Sequence, residues 1–286
     1  MTSIGQLHGC ISSDVHIQGW VHAIRIQKRV AFLVIRDAKG RTQCIVDRQT
    51  QPELAAVVES LTRESVVRVS GTVVAGPGPG AVEIHSKEVV IHSLSTPSPP
   101  IDPAALDQAG VETRMDWRYL DLRRPANHLI FEIQTEIEWA MRQHWREHAF
   151  IEIHTPKLMA TASESGAELF EVGYFGEKAY LAQSPQFYKQ MAMASGFDRV
   201  FEIAPVFRAN PSFTSRHDTE FTSVDVEMSW IDSHDDVMRF EEQWLTAVLT
   251  HVSETFADRI KSTFDTEVVV PELPFPSIPM VHAQQI

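Results

Sequence analysis

Residues 206–228, VFRANPSFTSRHDTEFTSVDVEM, place a polar loop with two arginines and a histidine between two apolar segments. The runs at 199–207 and 221–231 are rich in β-branched and aromatic residues, which favours two strands joined by a charged loop. Guanidinium groups bind phosphate oxygens bidentately, and Phe221 after the loop offers a stacking surface for a purine. The pattern is typical of an exposed charged hairpin and equally of a hairpin that grips a nucleoside triphosphate.

The rest of the second half of the chain mixes strands with helices. Composition predicts strands at 150–156 and 178–182, and apolar spacing predicts helices at 127–148, 185–195 and 235–256. The sequence has no regular β–α–β alternation and no Gly-rich turn after a strand, which argues against a Rossmann or P-loop domain. We therefore expect a larger mixed domain of strands and helices in this half.

The first half of the chain predicts a small barrel. Strands are predicted at 14–25, 30–37, 42–47, 65–75 and 81–92, with a helix at 52–65 between the third and the fourth. Three strands, a helix and two strands is the order of an OB barrel, which binds single-stranded nucleic acid. The fold class is therefore α+β, with a barrel domain at 1–93, a Pro- and Ser-rich hinge at 94–126 and a mixed domain at 127–286.

Composition and charge restrict the class of protein. The net charge of the 286 residues is −13, which argues against a general nucleic-acid-binding surface, but residues 1–93 hold ten Lys and Arg against eight Asp and Glu. We therefore expect any nucleic-acid contact at the N-terminal end. The sequence has no signal peptide, no run of eighteen apolar residues and only two cysteines, so we expect a reduced, cytoplasmic protein with no membrane partner.

The predicted barrel carries a basic segment with one aromatic residue. Six cations fall within seventeen residues, namely Arg25, Lys28, Arg29, Arg36, Lys39 and Arg41. Phe32 lies among them, and Gln43 follows on the next strand. A base can stack on the ring, an amide can pair with a base edge, and cations can hold phosphates. Alternatively Phe32 is a core residue and the charges form a solvated face, which is the commoner case for a single Phe in a strand.

Two further spacings in the second half bring polar residues together. Gln186 and Lys189 are three apart on a predicted helix and share a face, so they could bind an amine and a carboxylate. The spacing alone favours an ordinary exposed lysine at this position. Phe221 and Asp225 are four apart on a predicted strand, which also places them on one face.

These segments together resemble the class II aminoacyl-tRNA synthetases, and within them the archaeal-type aspartyl-tRNA synthetase family. FIEIHTPKL with Pro156 looks like the end of motif 1, which implies a homodimer interface, and VFRANPSFTSRHDTEF looks like motif 2. WRYLDLR looks like the start of the catalytic domain, and TASESGAELFEVGYF with YLAQSPQFYKQ is similar to the aspartate-specific part of the site. The implied fold is an OB barrel followed by a class II catalytic domain, which is an antiparallel sheet with helices.

The resemblance implies that aspartate and ATP form aspartyl-adenylate, with Mg²⁺ on the phosphates, before transfer to tRNA. Arg208 is the expected catalytic residue, because it would hold the α-phosphate and neutralise charge as the aspartate carboxylate attacks. Further ATP contacts are expected from Arg216, His217 and Phe221, the last by stacking on adenine. The expected aspartate-binding residues are Glu164, Ser184, Gln186, Lys189 and Asp225.

For the barrel, the resemblance implies anticodon contacts from Arg25, Phe32, Gln43 and Glu83. Phe32 is expected to stack on a base and Gln43 to read the middle base. His22 stands where enzymes strict for tRNA(Asp) tend to have Trp, and Pro79 lies in a loop that also affects this choice. The resemblance therefore favours the non-discriminating form, which charges both tRNA(Asp) and tRNA(Asn).

The sequence departs from the family pattern at several positions. Glu is usual where this chain has Asn210, Gly-Gly where it has Ser165-Gly166, and Leu where it has Asp218. An acidic side chain beside phosphate-binding groups opposes the charge of ATP. Motif 3, with its second ATP-binding arginine, and the acidic metal ligands before it have no counterpart here. We therefore expect a catalytic domain that lacks its C-terminal part, and we assign no metal ligand.

Three hypotheses remain open at this point. The chain is an incomplete aspartate–tRNA ligase, a shortened paralogue that binds tRNA without aminoacylating, or a related asparagine- or aspartate-using ligase such as asparaginyl-tRNA synthetase. Lys189 favours an acidic substrate, because a neutral amide would leave that cation unpaired. The expected partners are tRNA(Asp), tRNA(Asn), ATP, Mg²⁺, L-aspartate and a second copy of the chain.

Overall fold

The computed structural model describes residues 1–78, 80–96, 99–102, 109–163, 169–211, 214 and 217–284. The chain forms two compact units, Met1–Phe131 and Glu132–Ile286. Among the described residues, no helix combines the length and the apolar character that a membrane span needs. The predicted boundaries at residues 93 and 126 stay predictions.

The first unit contains a closed barrel of five strands in the order β1-β2-β3-β5-β4. The strands are β1 (Asp14–Ile26), β2 (Val30–Asp37), β3 (Gly40–Asp47), β4 (Val66–Ala75) and β5 (Val82–Ser93). A 3₁₀ helix, Ile4–Cys10, precedes β1, and α1, Pro52–Glu59, lies between β3 and β4. The predicted five-stranded barrel is therefore confirmed.

Side-chain alternation decides which residues fill the barrel. On β2, Ala31, Leu33 and Ile35 are fully buried, whereas Phe32 and Val34 between them are only partly buried. Successive side chains of a strand point to opposite faces, so Phe32 lies on the outer surface. The interpretation of Phe32 as a core residue is therefore wrong.

The segment after β3 is less helical than predicted. A helix was expected over 52–65, but α1 ends at Glu59 and the chain turns back towards the barrel, with Glu64 in the left-handed region at φ 68°. The buried carboxylate of Glu64 accepts hydrogen bonds from Arg36 at 2.6 and 2.7 Å and from Arg123 at 2.9 Å. This ion cluster holds Glu64 inward, an arrangement that a continued helix would not provide.

The segment predicted as a hinge is helical in its second half. It forms α2 (Val111–Asp116) and α3 (Arg118–Asp121). Asp121 is fully buried, and Arg114 Nε and Arg118 Nη1 donate to its carboxylate at 2.8 and 2.6 Å. Burial acts to raise the pKa of Asp121, but the two guanidinium groups outweigh it and lower that pKa.

The second unit is built on two small sheets. The first has the order β11-β10-β6 and the second the order β7-β9-β8. The strands are β6 (Ile151–Glu152), β7 (Leu158–Met159), β8 (Glu171–Tyr174), β9 (Glu177–Leu181), β10 (Arg199–Phe207) and β11 (Glu220–Met228). The β10–β11 pair is antiparallel, as predicted for this domain, whereas β6 pairs with β10 in the parallel direction.

The strand predicted at 150–156 is reduced to the two residues of β6. After one more backbone hydrogen bond, from Ile153 N to Phe201 O, the chain stops pairing with β10. Its next hydrogen bonds go from Thr155 to the side chain of Glu202. A side-chain acceptor therefore replaces the strand ladder where the prediction expected a longer strand.

Among the described residues, four helices lie wholly or mostly in the second unit, and two of them build its core. They are α4 (Pro125–Glu147), α5 (Gln186–Ala194), α6 (His234–Phe264) and α7 (Met280–Ala283). The core joins α4 and α6 to one face of β10, through Ala140, Trp145, Phe150, Phe201, Phe240, Trp244 and Val248. Helix α6 exceeds the predicted 235–256, because its buried stripe continues through Phe256 to Ile260.

Candidate functional site

One face of the β10–β11 hairpin carries the polar residues that the sequence singled out. Phe221, Ser223, Asp225 and Glu227 alternate along β11 and therefore project from the same face. Phe201 on β10 belongs to the opposite face, where it packs in the core with α4 and α6. The hairpin thus separates an apolar core from a polar surface, and α5 meets that polar surface.

Lys189 on α5 is the central charge of this surface. Its side chain is 7% exposed, and its Nζ lies 3.1 Å from Asp225 Oδ1 and 3.4 Å from Glu227 Oε2. Ser223 Oγ also donates to Asp225 Oδ2 at 2.5 Å. The spacing on α5 favoured an exposed lysine, and that interpretation is wrong, because α5 turns this face towards β11 and not towards solvent.

One cation between two carboxylates gives this trio a net charge of −1 when all three groups are ionised. An amino acid with an ammonium group and a side-chain carboxylate matches this arrangement, since it offers one group to the carboxylates and one to Lys189. A ligand that carries only a positive group would compete with Lys189 for Asp225 and Glu227 and would offer Lys189 no new partner. The geometry is therefore suited to a small acidic zwitterion.

The segment before α5 is held between two other parts of the unit. Ala182 N donates to Lys157 O at 2.9 Å, and Phe207 N donates to Ala182 O at 2.9 Å. Ser184 is buried, and its Oγ accepts a hydrogen bond from Gln186 N at 3.3 Å. These backbone ties place the predicted aspartate-binding residues Ser184 and Gln186 beside the end of β10.

Arg208 follows β10 directly and packs on Phe221. Its guanidinium carbon lies 5.5 Å from the centre of the ring, and its backbone N–H donates to Thr219 O at 2.9 Å. The Arg208 Nε is buried and has no hydrogen-bond partner among the described residues. Buried donors are normally satisfied, so this nitrogen is available for an acceptor such as a phosphate oxygen.

Part of the predicted phosphate-binding loop lies outside the described residues. Arg216, in this loop, is not described. Outside the loop, Glu164 and the Ser165-Gly166 pair also lie outside the described residues. His217 is exposed, and its Nδ1 lies 2.7 Å from Thr214 Oγ1. The positions of Arg208, His217 and Phe221 are therefore described, and the roles assigned to them stay predictions.

Two carboxylates of this face were missed from the sequence. Glu202 pairs with Asp225 across the strands and is 2% exposed. It accepts hydrogen bonds from Thr155 N at 2.6 Å, Thr155 Oγ1 at 2.8 Å and Lys157 Nζ at 2.8 Å. The second is Glu227, and its position two residues after Asp225 on a strand was the signal that could have identified it.

The outer surface of the barrel brings four predicted residues into one row. Arg25 pairs with Phe32 across β1 and β2, and its guanidinium carbon lies 5.6 Å from the ring centre. Arg25 Nη2 donates to Gln43 Oε1 at 2.6 Å, and Gln43 Nε2 donates to Glu83 Oε1 at 2.6 Å. A stacking ring therefore adjoins an amide and a carboxylate, the groups that recognise bases in single-stranded nucleic acid.

His22 lies at an irregularity of the same surface. The β1–β2 register shifts between Val21 and Ala23, so His22 bulges out of the ladder. Burial lowers the pKa of His22, and the nearby positive charges of Arg36 and Arg41 lower it further. Pro79, the other residue predicted to affect tRNA choice, lies outside the described residues.

Comparisons with known proteins assign a family model to each half. A model described as "tRNA synthetases class II (D, K and N)" matches residues 110–286. A model described as "OB-fold nucleic acid binding domain" matches residues 15–92. The second match covers the closed barrel, and the first covers both sheets of the second unit.

Curated relatives match nearly the whole chain. The Aspartate--tRNA(Asp/Asn) ligase of Methanopyrus kandleri is 45% identical over 267 residues, which are 93% of this chain and 62% of the relative. The Aspartate--tRNA(Asp) ligase of Thermococcus kodakarensis is 42% identical over 275 residues, 95% of this chain and 62% of the relative. The chain therefore spans a little under two thirds of the length of these relatives.

Solved structures agree with this fold. An asparaginyl-tRNA synthetase from Pyrococcus horikoshii, complexed with asparaginyl-adenylate, superposes with a TM-score of 0.88 at 30% identity, over 99% of this chain and 66% of that one. A putative aspartyl-tRNA synthetase from Leishmania major superposes with a TM-score of 0.85 at 28% identity, over 93% and 55%. Both amino-acid specificities thus occur among the structural neighbours.

Proposed function

Because the chain belongs to the class II tRNA synthetases of the D, K and N group, we propose that it acts as an aspartate–tRNA ligase. The proposed reaction joins aspartate to AMP at the expense of ATP and then transfers the aspartyl group to tRNA. The second unit would carry the chemistry, and the barrel would bind the anticodon. The names of the curated relatives, at 45% and 42% identity, support aspartate as the amino acid.

The observation that carries this proposal is the buried Lys189. A lysine with 7% of its side chain exposed is held at 3.1 and 3.4 Å from two carboxylates on a face that also contains Phe221. Two carboxylates hold its ammonium group at this face, where it would pair with the side-chain carboxylate of aspartate. Asp225 would then be available for the substrate ammonium group.

Positioning and charge neutralisation would drive the first step. An α-carboxylate oxygen of aspartate attacks the α-phosphorus of ATP, the bond to the bridging oxygen of the β-phosphate breaks, and pyrophosphate leaves with that electron pair. Arg208 is the proposed catalytic residue, since its unpartnered Nε would donate to the α-phosphate as negative charge develops. Phe221 would stack on adenine, and Arg216 and His217 would contact the γ-phosphate.

Mg²⁺ is expected to accompany ATP through its phosphates, where it would neutralise charge. Among the described residues, no group of three or more His, Cys, Asp and Glu side chains is arranged to hold a metal ion. Asp225, Glu227 and Glu202 each have a lysine as partner. We therefore propose no protein ligand for the metal.

In the second step, a ribose hydroxyl at the 3′ end of tRNA would attack the aspartyl carbonyl and release AMP. The barrel would select the tRNA, with Phe32 stacked on an anticodon base and Gln43 on a base edge. We propose tRNA(Asp) and also tRNA(Asn) as substrates, because His22 stands where strict enzymes tend to have Trp. The names of several curated relatives, which include both tRNAs, support this extension.

A second copy of the chain is the proposed partner of the second unit. Pro156 is exposed, and large apolar side chains near it are half-exposed, including Ile151 at 50% and Leu158 at 44%. A face of this kind is typical of a buried interface between subunits. Both cysteines are free, which supports a reducing, cytoplasmic location.

An asparagine-using ligase is the second candidate, favoured by the similarity to the asparaginyl-tRNA synthetase of P. horikoshii. Lys189 opposes it, because its ammonium group would form a charge-assisted hydrogen bond with the side-chain carboxylate of aspartate and only a weaker one with a neutral amide. Exchange of labelled pyrophosphate into ATP tests both candidates with the 286-residue chain. We expect exchange that depends on aspartate and not on asparagine.

Three other results would contradict the first proposal. Exchange with asparagine alone would assign the chain to the second candidate. Tight tRNA binding without any exchange would make it a tRNA-binding paralogue. A Lys189→Met variant that exchanges as well as the wild type would remove the role given to Lys189, and Lys178→Met, on an exposed pair with Glu171, is the matched control.

A further inference from the structure

A cavity of about 490 Å³ opens on the barrel beside the residues predicted to read the anticodon. Gln43 and Glu83 form part of its wall, and Val34 lines it as well. His8, from the 3₁₀ helix before β1, and Arg41, from the start of β3, complete the polar lining. A cavity of this size accommodates a small ligand or one nucleotide.

The register of β3 places Arg41 next to the base-reading row. Thr42 and Cys44 point into the barrel and are buried, so Arg41 and Gln43 both point outward. Alternate residues of a strand lie roughly 6.5 Å apart, two rises of about 3.3 Å. A base that pairs with Gln43 would therefore have its own ribose phosphate within reach of Arg41.

The charges at this end of the barrel leave one arginine available. Arg36, the cross-strand neighbour of Arg41, is buried and donates two hydrogen bonds to Glu64 at 2.6 and 2.7 Å. The Arg41 side chain is exposed and makes no hydrogen bond or ion pair among the described residues. Glu83, the carboxylate in the cavity wall, already accepts a hydrogen bond from Gln43.

His8 faces the same opening from another segment of the chain. Its side chain is exposed and has no hydrogen bond among the described residues. A neutral imidazole carries one N–H donor, which suits a phosphate oxygen. Arg41 supplies a fixed positive charge with a planar set of donors, so the two side chains together suit the acceptor oxygens and the negative charge of a phosphodiester.

We propose that Arg41 and His8 bind the backbone phosphate of the RNA nucleotide whose base contacts Gln43 and Glu83. Arg41 is thus the cation of the basic segment that binds the RNA backbone in this cavity. This inference rests on the proposed function of the barrel as an RNA-binding domain. It predicts a contact that adds affinity without reading sequence.

The test measures the affinity of hairpin RNAs by fluorescence anisotropy over a range of salt concentrations. The RNAs are anticodon stem-loops with GUC, with GUU and with a changed middle base. We expect Arg41→Gln to weaken binding of all three about tenfold, and the salt slope to fall by about 0.7 to 0.9, the share of one phosphate contact. His8→Ala should weaken all three by a smaller, equal factor.

Three variants make this result specific. Arg41→Lys keeps the charge, so it should restore most of the salt slope. Gln43→Ala should instead change the ranking of the three RNAs. Lys87→Gln removes a barrel cation that is paired with Asp14 at 2.7 Å and should leave binding unchanged. Circular dichroism should show the same fold for every variant.

Three outcomes would overturn the inference, and they are distinguishable. If the wild type binds the hairpins and Arg41→Gln and His8→Ala bind them with the same affinity and salt slope, the phosphate contact is wrong and the barrel keeps its proposed function. If the wild type binds none of the hairpins at low salt, the proposed RNA-binding function itself fails. A selective loss for only one loop sequence would make Arg41 a base-reading residue and would also contradict the inference.

Discussion

On the barrel, Arg25, Gln43 and Glu83 form a chain of hydrogen bonds across an open strand surface, whereas in the second unit Lys189 is buried between Asp225 and Glu227. Exposed polar contacts contribute little to stability and exchange readily with water or RNA. A buried charge keeps its position because separation from its partners costs several kcal/mol. The barrel surface is therefore expected to rearrange more easily than the sheet site, whose charged groups are held by buried contacts.

The strongest test of this contrast removes the buried charge. Lys189→Met keeps a side chain of similar length but leaves Asp225 and Glu227 facing each other without a cation. We expect the free energy of unfolding of the second unit to fall by about 3 to 5 kcal/mol in urea titrations. Lys178→Met, the exposed control, should leave the unfolding midpoint unchanged, and equal effects of both substitutions would refute the contrast.

Neighbouring residues of one barrel strand should behave in opposite ways. Leu33 is fully buried, so Leu33→Ala should lower the free energy of unfolding by about 3 kcal/mol. Phe32 is on the outer surface, so Phe32→Leu should lower it by less than about 1 kcal/mol. The same Phe32→Leu change should weaken anticodon-loop binding about tenfold through lost stacking. If Phe32→Leu causes a large loss of stability and leaves RNA affinity unchanged, Phe32 acts as a core residue and not as a base-stacking residue.

Glu202 allows a second comparison of a buried with an exposed charged pair. This carboxylate has no proposed contact with substrate. Glu202→Gln leaves Lys157 without its counter-charge and weakens the hydrogen bonds from Thr155, so we expect a loss of about 2 kcal/mol in unfolding free energy. Glu171→Gln, on an exposed pair with Lys178, is the control and should have no measurable effect. An unchanged midpoint for Glu202→Gln would show that this network does not anchor the segment around Pro156.

The smallest expected effect comes from one histidine in each unit. Burial is the main cause that lowers the pKa of both His22 and His144, and His144 also stacks on His148 at 4.3 Å. Above the ordinary histidine pKa of about 6.5, neither the folded nor the unfolded chain binds the proton, so the shifts do not change the free energy of unfolding. Below that pH the unfolded chain is protonated first, and stability falls as pH drops from 7 to 5.

Each histidine should therefore make a small contribution, in the direction that its lowered pKa sets. Urea titrations of the wild type, His22→Gln and His144→Gln at pH 7 and pH 5 measure the effect. Each variant should lose less stability than the wild type between the two values. A wild type that becomes more stable at pH 5, with both variants following it, would contradict the stated direction of both shifts.

Most of the barrel could be predicted from the sequence because alternation on a strand is a local property. The alternating patterns at 30–37 and 42–47 predicted β2 and β3. The pairing of these two strands places Phe32 and Gln43 on the same outer surface. The position of His22 was harder to predict, because a bulge of one residue shifts the face on which a side chain lies without any change in composition. The alternative that placed Phe32 in the core rested on residue type alone, and the alternation along β2 excludes it.

The sheet site could be predicted only in part, because its contacts join distant segments. Lys189 meets Asp225 from a helix 36 residues earlier, and Glu202 meets Thr155 from 47 residues away. Spacing on α5 alone could not reveal which face would be covered. Motif resemblance supplied Lys189, Arg208 and Phe221. Glu202 became visible only when the strands were paired, whereas Glu227 was missed although it lies two residues after Asp225 on the same strand.

The central claim is that a buried cation at Lys189 selects an acidic amino acid. Isothermal titration of the 286-residue chain with L-aspartate and with L-asparagine tests it most directly. We expect aspartate to bind at least about tenfold more tightly, a difference of about 1.4 kcal/mol, and Lys189→Met to abolish this preference. Equal affinities, or tighter binding of asparagine by the wild type, would contradict it.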